Sequence, residues 1–186
     1  MVIGGRRPGR PPTLCREDVA RATLAVGIEQ LSLSSVARHL GVSHSTLYRY
    51  VRDKDDLLAV AVEQAFRTAD WPNPELGWRE LLQAFAEAIW AAIDRHPGLA
   101  EAVHTLAVIP PTVVRLMGEY GERLRALGFH ARDAMVALDF IADLAMSGMD
   151  RVDQESTWRD RRRFDDKLEI LLDGLAARIN RDVHPH

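Results

Sequence analysis

Apolar residues recur along this chain at the three- and four-residue spacing of amphipathic helices. No stretch sustains the two-residue alternation that is typical of a β-strand. Glycine and proline residues interrupt the helical pattern and divide it into nine segments. We therefore predict an all-α protein. The nine predicted helices span residues 16–26, 33–40, 44–50, 54–69, 78–95, 98–107, 111–127, 131–151 and 160–180.

The first three predicted helices are short, and the fourth begins at a well-marked boundary. Asp53 can cap the free amides at its start, and Asp56, three residues later, has the position of a capping-box acid. Two prolines shortly after residue 70 end this helix, because each lacks an amide donor and restricts the residue before it. We predict two domains, residues 1–53 and 54–186, with the helix at 54–69 connecting them.

Charge follows the same division. Residues 1–54 carry nine Lys or Arg and four Asp or Glu, a balance of +5. Because the formal net charge of the whole chain is −3, the other 132 residues carry −8. Attraction to phosphate is local and is screened within about 10 Å. The N-terminal domain is therefore suited to bind nucleic acid even though the chain as a whole is acidic.

Residues 32–54 have the pattern of a helix-turn-helix. Ala37 is small where the two helices would cross, and Gly41, four residues later, can adopt the left-handed conformation of a tight turn. Leu47 would face back and hold the second helix against the first. The serines placed to cap the two helices are Ser32 and Ser43. These features occur in one register inside the basic segment, which predicts a DNA-binding motif.

The second helix of this motif presents hydrogen-bonding and basic side chains. Its N-terminal end would enter the major groove, where Ser, Thr and His reach base edges, while the tyrosines and basic groups suit phosphates. An extended arm before the first helix can place arginines in a minor groove. The alternatives are an ordinary solvated surface and, for the arm, a solubilising or vector-derived tail. The predicted DNA-binding residues are Arg6, Arg7, Arg10, Ser34, Ser35, Ser43, His44, Ser45, Thr46, Tyr48, Arg49, Tyr50 and Lys54.

At these residues the sequence resembles the tetracycline-repressor (TetR) family of bacterial regulators. The match rests on Val36-Ala37, on Leu40-Gly41-Val42-Ser43 and on the run from Thr46 to Leu58. The resemblance implies an all-α fold and a homodimer in which the last two helices of each chain form a four-helix bundle. Two-fold symmetry would place the recognition helices about one DNA turn apart on a palindromic operator. One departure is Gly27-Ile28-Glu29, which ends the first helix earlier than is usual in the family.

Apolar stripes on the last two predicted helices fit such an interface. They recur at three- and four-residue spacing, and small residues on the eighth helix would let a second chain approach closely. The alternative is that the stripes only form the core of one chain. The predicted interface residues are Leu138, Ile141, Ala145, Met149, Phe164, Leu168, Leu171 and Leu175.

The larger domain resembles, more loosely, the effector domain of the tetracycline-repressor branch. By that resemblance, His104 lies near a histidine that binds magnesium-bound tetracycline. The companion residues do not follow, because Ala69-Asp70 and Phe85-Ala86 stand where a histidine and an asparagine would be needed. We therefore expect no such site, and the sequence predicts no cofactor and no metal. The residues that carry this looser resemblance are Trp78-Arg79-Glu80-Leu81-Leu82, Arg95-His96-Pro97, Pro110-Pro111 and 124–129.

We predict a ligand pocket among the fifth to eighth helices, where aromatic and methionine side chains are abundant. Such a lining suits a small apolar or aromatic effector. Taken singly, each residue is at least as well explained as ordinary core, and a histidine on an apolar run is more often a core residue than a ligand contact. The predicted lining residues are Phe85, Ile89, Trp90, His104, Met117, Tyr120, Phe140, Leu144 and Met146.

Other functional classes find little support. No apolar run reaches the roughly 18 to 20 residues of a membrane span, and the N-terminus leads into prolines rather than an apolar signal segment. The single cysteine, Cys15, cannot form an internal disulfide. No P-loop, GxGxxG, GxSxG or HExxH motif is present, so no catalytic residue is predicted. We expect a cytoplasmic bacterial protein that is not an enzyme.

The sequence thus predicts a sequence-specific DNA-binding transcriptional regulator, most simply a repressor that a small molecule releases from its operator. Two alternatives use the same residues and stay open: a transcriptional activator and a regulator without a ligand. A further alternative is an all-α binding protein or enzyme that retains an unused DNA-binding domain.

Overall fold

The computed structural model describes residues 14–147 and 161–183, and every regular element in these ranges is an α-helix. The all-α prediction is confirmed. The predicted bounds agree with those observed to within three residues, except that the predicted eighth helix continues beyond the described residues. The helices are α1 (Arg16–Val26), α2 (Leu33–Leu40), α3 (His44–Leu47), α4 (Lys54–Arg67), α5 (Trp78–Arg95), α6 (Leu99–Thr105), α7 (Pro111–Ala126), α8 (Ala131–Ser147) and α9 (Arg161–Val183).

The third helix is shorter than predicted, and its hydrogen bonds show why. After Leu47 the chain tightens, since the Arg49 amide donates to the Thr46 carbonyl and the Tyr50 amide donates to the Leu47 carbonyl, at 3.2 and 2.9 Å. Both bonds reach back three residues rather than the four of an α-helix. α3 is therefore a single turn that continues into a tight, ordered corner.

The buried apolar side chains form one continuous core that runs from α1 to α9. α1 packs against α2 and α4, while α5 and α7 pack against α8. α4 also packs against α6 and α7, so that the connecting helix touches both predicted domains. Because the core is not interrupted near residue 53, the domain boundary at that position stays a prediction.

Ion pairs attach α9 to the rest of the protein. The Arg79 guanidinium at the start of α5 lies 2.5 Å from a carboxylate oxygen of Glu169 and 2.8 Å from one of Asp173. Near the other end of α5, Arg161 pairs with Glu87 and lies over the ring of Trp90, 5.6 Å from its centroid. Among the described helices, none combines the length and apolar content needed to cross a membrane.

Candidate nucleic-acid interface

Local hydrogen bonds shape the corner between α2 and α3. The Ser32 hydroxyl accepts from the Ser35 amide at 3.0 Å and begins α2, and the Ser43 hydroxyl accepts from the Thr46 amide at 3.2 Å and begins α3. Gly41 between them has φ +66°, in the left-handed region where a Cβ is disfavoured. Leu47 is fully buried and holds α3 against the core. Both predicted caps and the predicted turn glycine are confirmed.

The outer side of this corner exposes most of the predicted contact residues. The Ser43 hydroxyl lies 2.8 Å from that of Ser45 and 3.0 Å from that of Thr46, so the capping bond and a small hydroxyl cluster share the same end of α3. Thr46 is half-buried, and Tyr48 keeps 51% of its surface exposed. The predicted residues that are exposed are Ser34, Ser43, His44, Ser45, Tyr48, Arg49 and Lys54.

The hydroxyl groups of two predicted contact residues already make hydrogen bonds within the protein. The Tyr50 hydroxyl donates to the Leu14 carbonyl at 2.5 Å, and the half-buried ring packs against the core. The Ser35 hydroxyl bonds to Ser32 and to the Gln30 carbonyl, which completes the N-terminal cap of α2. Tyr50 therefore ties the corner after α3 to the start of α1, and Ser35 stabilises α2. The prediction that their hydroxyls face DNA needs this correction.

Asp56 joins the beginning of α1 to the beginning of α4. Its carboxylate accepts from the Arg52 amide at 3.0 Å and lies 3.3 Å from the Arg16 guanidinium. Partial burial acts to raise the pKa of this carboxyl, but the Arg52 amide and the two guanidinium groups outweigh burial and leave the pKa below its usual value. Arg16 also donates to the Tyr50 carbonyl at 3.3 Å. This cluster fixes the segment that leads from α3 into α4.

The arm residues Arg6, Arg7 and Arg10 lie outside the described residues, as does Met149 of the predicted dimer interface. Their predicted roles stay predictions.

An apolar cavity of about 70 Å³ lies among α4, α5, α6, α7 and α8. Pockets for drug-sized ligands commonly measure about 300 to 1,000 Å³, so this cavity must widen to admit one. Met117 and Met146 are flexible side chains in its wall. The lining residues, all apolar, are Phe66, Trp71, Phe85, Ile89, Val103, Val113, Leu116, Met117, Ala142 and Met146.

The cavity agrees with the predicted pocket only in part. Phe85, Ile89, Met117 and Met146 line it, whereas the remaining predicted residues do not. His104 is exposed at the end of α6, and Phe140 points outward with 53% of its surface exposed. The three others have different surroundings: Trp90 packs on Phe164, Tyr120 donates to the Pro72 carbonyl, and Leu144 is half-buried outside the lining.

Two of the lining residues missed by the sequence prediction come from outside the fifth to eighth helices, whereas Val103, Val113, Leu116 and Ala142 lie on those helices. Phe66 belongs to the last turn of α4, and Trp71 belongs to the linker between α4 and α5. Their position just before two prolines indicated only that a helix ends there. A tryptophan in the linker after a helix is a signal that the linker covers apolar space.

A wider, open cleft of about 360 Å³ lies between α1 and α4. Its rim carries Arg16, Glu17, Glu63 and Arg67. Arg16 and Glu63 are engaged with Asp56 and Thr112, respectively. The smaller cavity is the better candidate for an apolar ligand, because its lining is uniformly apolar and comes from several elements.

The predicted dimer residues that the structure describes lie in the core of a single chain. Their stripes face inward on α8 and α9, so the prediction assigned these side chains to the wrong faces. The outward apolar residues on the same helices include Val136, Phe140 and Ile170, which are 56%, 53% and 73% exposed. The inward residues are Leu138, Ile141, Ala145, Phe164, Leu168 and Leu175, which are buried, and Leu171, which is half-buried against the core.

Comparison with known proteins identifies the helix-turn-helix region. The family model described as bacterial regulatory proteins of the tetR family matches residues 18–61, which include α2, α3 and the first half of α4. The chain is 31% identical over 145 residues to the HTH-type transcriptional repressor DrrR1 of Streptomyces coeruleorubidus. That alignment covers 74% of this chain and 54% of the repressor, so the chain spans about half the length of this curated relative.

Solved structures extend the likeness to the larger domain. BioQ, in a crystal structure with its double-stranded DNA operator, is 27% identical, with a TM-score of 0.71 over 89% of this chain and 99% of that one. ActR of Streptomyces coelicolor, in complex with actinorhodin, shares the fold at 22% identity, with a TM-score of 0.73 over 89% and 97% of the two chains. The fold therefore comprises an N-terminal helix-turn-helix domain and a C-terminal helical domain, and the match at residues 18–61 places this helix-turn-helix domain in the tetR family of bacterial regulatory proteins.

Proposed function

We propose that this protein is a sequence-specific DNA-binding transcriptional repressor that a small molecule releases from its operator. The observation that carries the proposal is the exposed face of α3 and the following corner, with His44, Ser45, Tyr48 and Arg49, on a helix that buried Leu47 fixes to the core. A rigid element with an exposed hydrogen-bonding and basic face meets the requirement for reading DNA in the major groove. We propose a regulator rather than an enzyme, acting in the cytoplasm.

Each side chain has a role set by its chemistry. His44, Ser45 and Thr46, at the N-terminal end of α3, contact base edges. Tyr48, Arg49 and Lys54, together with Ser34 and Ser43, contact phosphates. Arg6, Arg7 and Arg10 extend this contact into the minor groove. Tyr50 and Ser35 act through the shape of the motif, because their hydroxyls already bond within the protein.

The protein binds a palindromic operator as a homodimer. Residues 1–53 form the DNA-binding part, and residues 54–186 form the part that dimerises and binds ligand. Val136 and Phe140 lie four residues apart on one exposed face of α8, and Ile170 is exposed on α9. Exposed apolar residues that cluster on neighbouring helices are typical of a protein interface. We therefore assign the dimer contact to this outward face instead of the buried stripe.

The ligand acts through α4. This helix starts beside the DNA-binding corner, where Asp53 caps it, and ends at the apolar cavity, where Phe66 forms part of the wall. A ligand that widens the cavity favours a different position of α4 and hence a different spacing of the two DNA-binding domains. It can shift this equilibrium only by its difference in affinity for the two states. The names of the relatives support this scheme, because DrrR1 is a repressor, BioQ was crystallised with an operator and ActR with a small molecule.

The proposal is tested by measuring binding of the full chain to the DNA upstream of its own gene, by fluorescence anisotropy at two salt concentrations. We expect affinity to fall steeply with salt and to exceed that for unrelated DNA by at least about a thousandfold. Arg49→Ala and Tyr48→Ala should weaken specific binding. Arg95→Ala, which changes an exposed arginine at the end of α5, is the matched control and should not.

Equal affinity for unrelated DNA, or equal effects of Arg49→Ala and Arg95→Ala, would contradict the DNA-binding assignment. A dimer that forms as tightly after Phe140→Asp as in the wild-type protein would contradict the proposed interface.

A further inference from the structure

A row of four aromatic rings begins in the wall of the apolar cavity and ends at Tyr120, outside the lining. Trp71 stacks on Phe66 of α4 with 6.1 Å between ring centroids and 30° between planes, and it lies 5.7 Å and 34° from Phe85 of α5. Phe85 in turn meets Tyr120 of α7 edge-on at 5.4 Å. Trp71 is the only one of the four that belongs to a linker rather than a helix. Its indole fills the space between the rings of α4 and α5.

The backbone on both sides of Trp71 is held in place. The Trp71 amide donates to the Ala69 carbonyl at 3.1 Å, and the Tyr120 hydroxyl donates to the Pro72 carbonyl at 2.9 Å. Farther along the linker, Arg123 donates to the Glu75 carbonyl at 2.9 Å. Burial also raises the pKa of Tyr120 to about 12. The backbone around Trp71 is thus fixed, whereas its side chain is only half-buried.

The indole also bonds to the connecting helix. Its Nε1–H donates to the Phe66 carbonyl at 2.7 Å, in the last turn of α4, and the Ala69 amide donates to the same carbonyl at 3.3 Å. Turning the indole away from the cavity would remove this donor. The occupant of the cavity and the C-terminal end of α4 are thus linked through one side chain.

The residues around the indole determine which kind of molecule could replace it. The rings of Phe66 and Phe85 both contact the indole, with 30° and 34° between ring planes, so an aromatic molecule that replaced the indole would meet the same two rings. Every lining residue is apolar, and a charge placed there would lose its hydration without a partner. The volume of about 70 Å³ is too small for such a molecule unless a wall residue leaves, since ligand pockets measure about 300 Å³ or more.

We propose that Trp71 is a plug for this cavity, and that the effector is an uncharged, planar aromatic molecule that displaces its indole and takes its place between Phe66 and Phe85. Displacement removes the indole donor from the last turn of α4. Only the regulatory consequence of this inference rests on the proposed function. Displacement of the Trp71 indole and the class of ligand can both be observed without DNA.

The test uses the full chain labelled with 5-fluorotryptophan and observed by ¹⁹F NMR, with Trp71→Phe to assign the Trp71 resonance. Naphthalene is the planar probe, and trans-decalin, which has the same number of carbon atoms but is not flat, is the matched probe. We expect naphthalene to move the Trp71 resonance toward that of solvent-exposed fluorotryptophan and to increase its H₂O/D₂O isotope shift. The resonances of Trp78 and Trp90, outside the cavity lining, should stay in place.

Affinities follow from the rise in Tm that each probe produces. Trp71→Ala, in which the plug is absent, should bind naphthalene at least tenfold more tightly than wild type, and wild type should bind trans-decalin at least tenfold more weakly than naphthalene. Any of four results would overturn the inference. The Trp71 resonance could stay in place at saturation, or both probes could bind equally. Naphthalene could bind more weakly to Trp71→Ala than to wild type, or not bind at all. If Trp71→Ala does not fold, the wild-type resonance and the two probes decide.

DNA binding is measured on the same wild-type sample without probe. If this sample shows no specific DNA binding, the proposed function is contradicted, and the role of Trp71 is still decided by the NMR result. Normal DNA binding with an unresponsive Trp71 contradicts only the plug.

Discussion

The Glu63 carboxylate in α4 accepts two hydrogen bonds from Thr112 at the start of α7, from its amide at 3.0 Å and from its hydroxyl at 2.6 Å. Thr112 is buried, and Pro111 before it, at the first position of α7, has no amide to offer. The negative charge also lies at the helix end that favours an anion. One carboxylate therefore joins the connecting helix to a helix that forms part of the cavity wall.

Removal of this carboxylate should destabilise the fold. We expect Glu63→Ala to lower the free energy of unfolding by about 1–3 kcal/mol, because the buried Thr112 hydroxyl and amide lose their acceptor. Glu63→Gln keeps one acceptor oxygen and should lose less. The matched control is Glu119→Ala, which removes an exposed partner of Arg115 and should change stability by less than about 1 kcal/mol. Urea unfolding followed by circular dichroism measures all three, and equal stability of Glu63→Ala and Glu119→Ala would contradict this role.

Two tyrosines two residues apart should behave in opposite ways. Tyr50→Phe removes the hydroxyl that bonds to the Leu14 carbonyl, and we expect it to lower the free energy of unfolding by about 1 kcal/mol. Tyr48→Phe removes an exposed hydroxyl and should change stability by less than about 0.5 kcal/mol, yet weaken DNA binding. Urea unfolding and fluorescence anisotropy on both variants give the comparison. The reverse pattern would show that the two side chains have exchanged roles.

The sequence was sufficient for features that depend on near neighbours. Ser32, Ser43 and Asp53 cap helices through amides three residues away, and Gly41 forms its turn with residues of the same corner. Each signal is local, and each prediction is confirmed. The helix bounds follow from the same short-range pattern.

Features that depend on distant partners were not predictable in the same way. Periodicity shows that one face of α8 is apolar but does not show what covers it, so Leu138 was assigned to a partner although it lies in the core. The acceptor of the Tyr50 hydroxyl is Leu14, 36 residues earlier, and no local pattern reports that pairing. Trp71 enters the cavity only because Tyr120 and Arg123 bind the linker from another helix.

The left-handed turn at Gly41 should depend on backbone conformation alone. No atom lies within 4 Å of the position where a Cβ would be, so Gly41→Ala meets no clash and loses about 1–2 kcal/mol from the unfavourable φ of +66°. Gly41→Asn should lose less, because asparagine tolerates this region. Gly118→Ala is the matched control, since that glycine is helical with equally open surroundings and should gain up to about 1 kcal/mol. Thermal unfolding ranks the three, and a gain for Gly41→Ala would refute the backbone argument.

Tyr120 should make the fold sensitive to alkali. Burial, with a smaller contribution from Glu119, raises the pKa of this phenol to about 12, against about 10 in an unfolded chain. Because the folded pKa is the higher one, the stabilisation is fully present below about pH 10 and is lost as the pH rises through about 12. Between pH 9 and 12, the free energy of unfolding should fall by about 2 kcal/mol more for wild type than for Tyr120→Phe.

The same variant also loses the hydrogen bond to the Pro72 carbonyl, which predicts a crossing of the two stability profiles. Between pH 7 and 9, wild type should be the more stable protein by about 1 kcal/mol, because only it makes that bond. Above about pH 11, Tyr120→Phe should become the more stable one, since it has no phenol whose ionisation in the unfolded chain favours unfolding. Urea unfolding at intervals of half a pH unit, followed by circular dichroism, locates the crossing. A difference that stays constant from pH 7 to 12 would mean that the Tyr120 hydroxyl ionises as readily in the folded protein as in the unfolded chain.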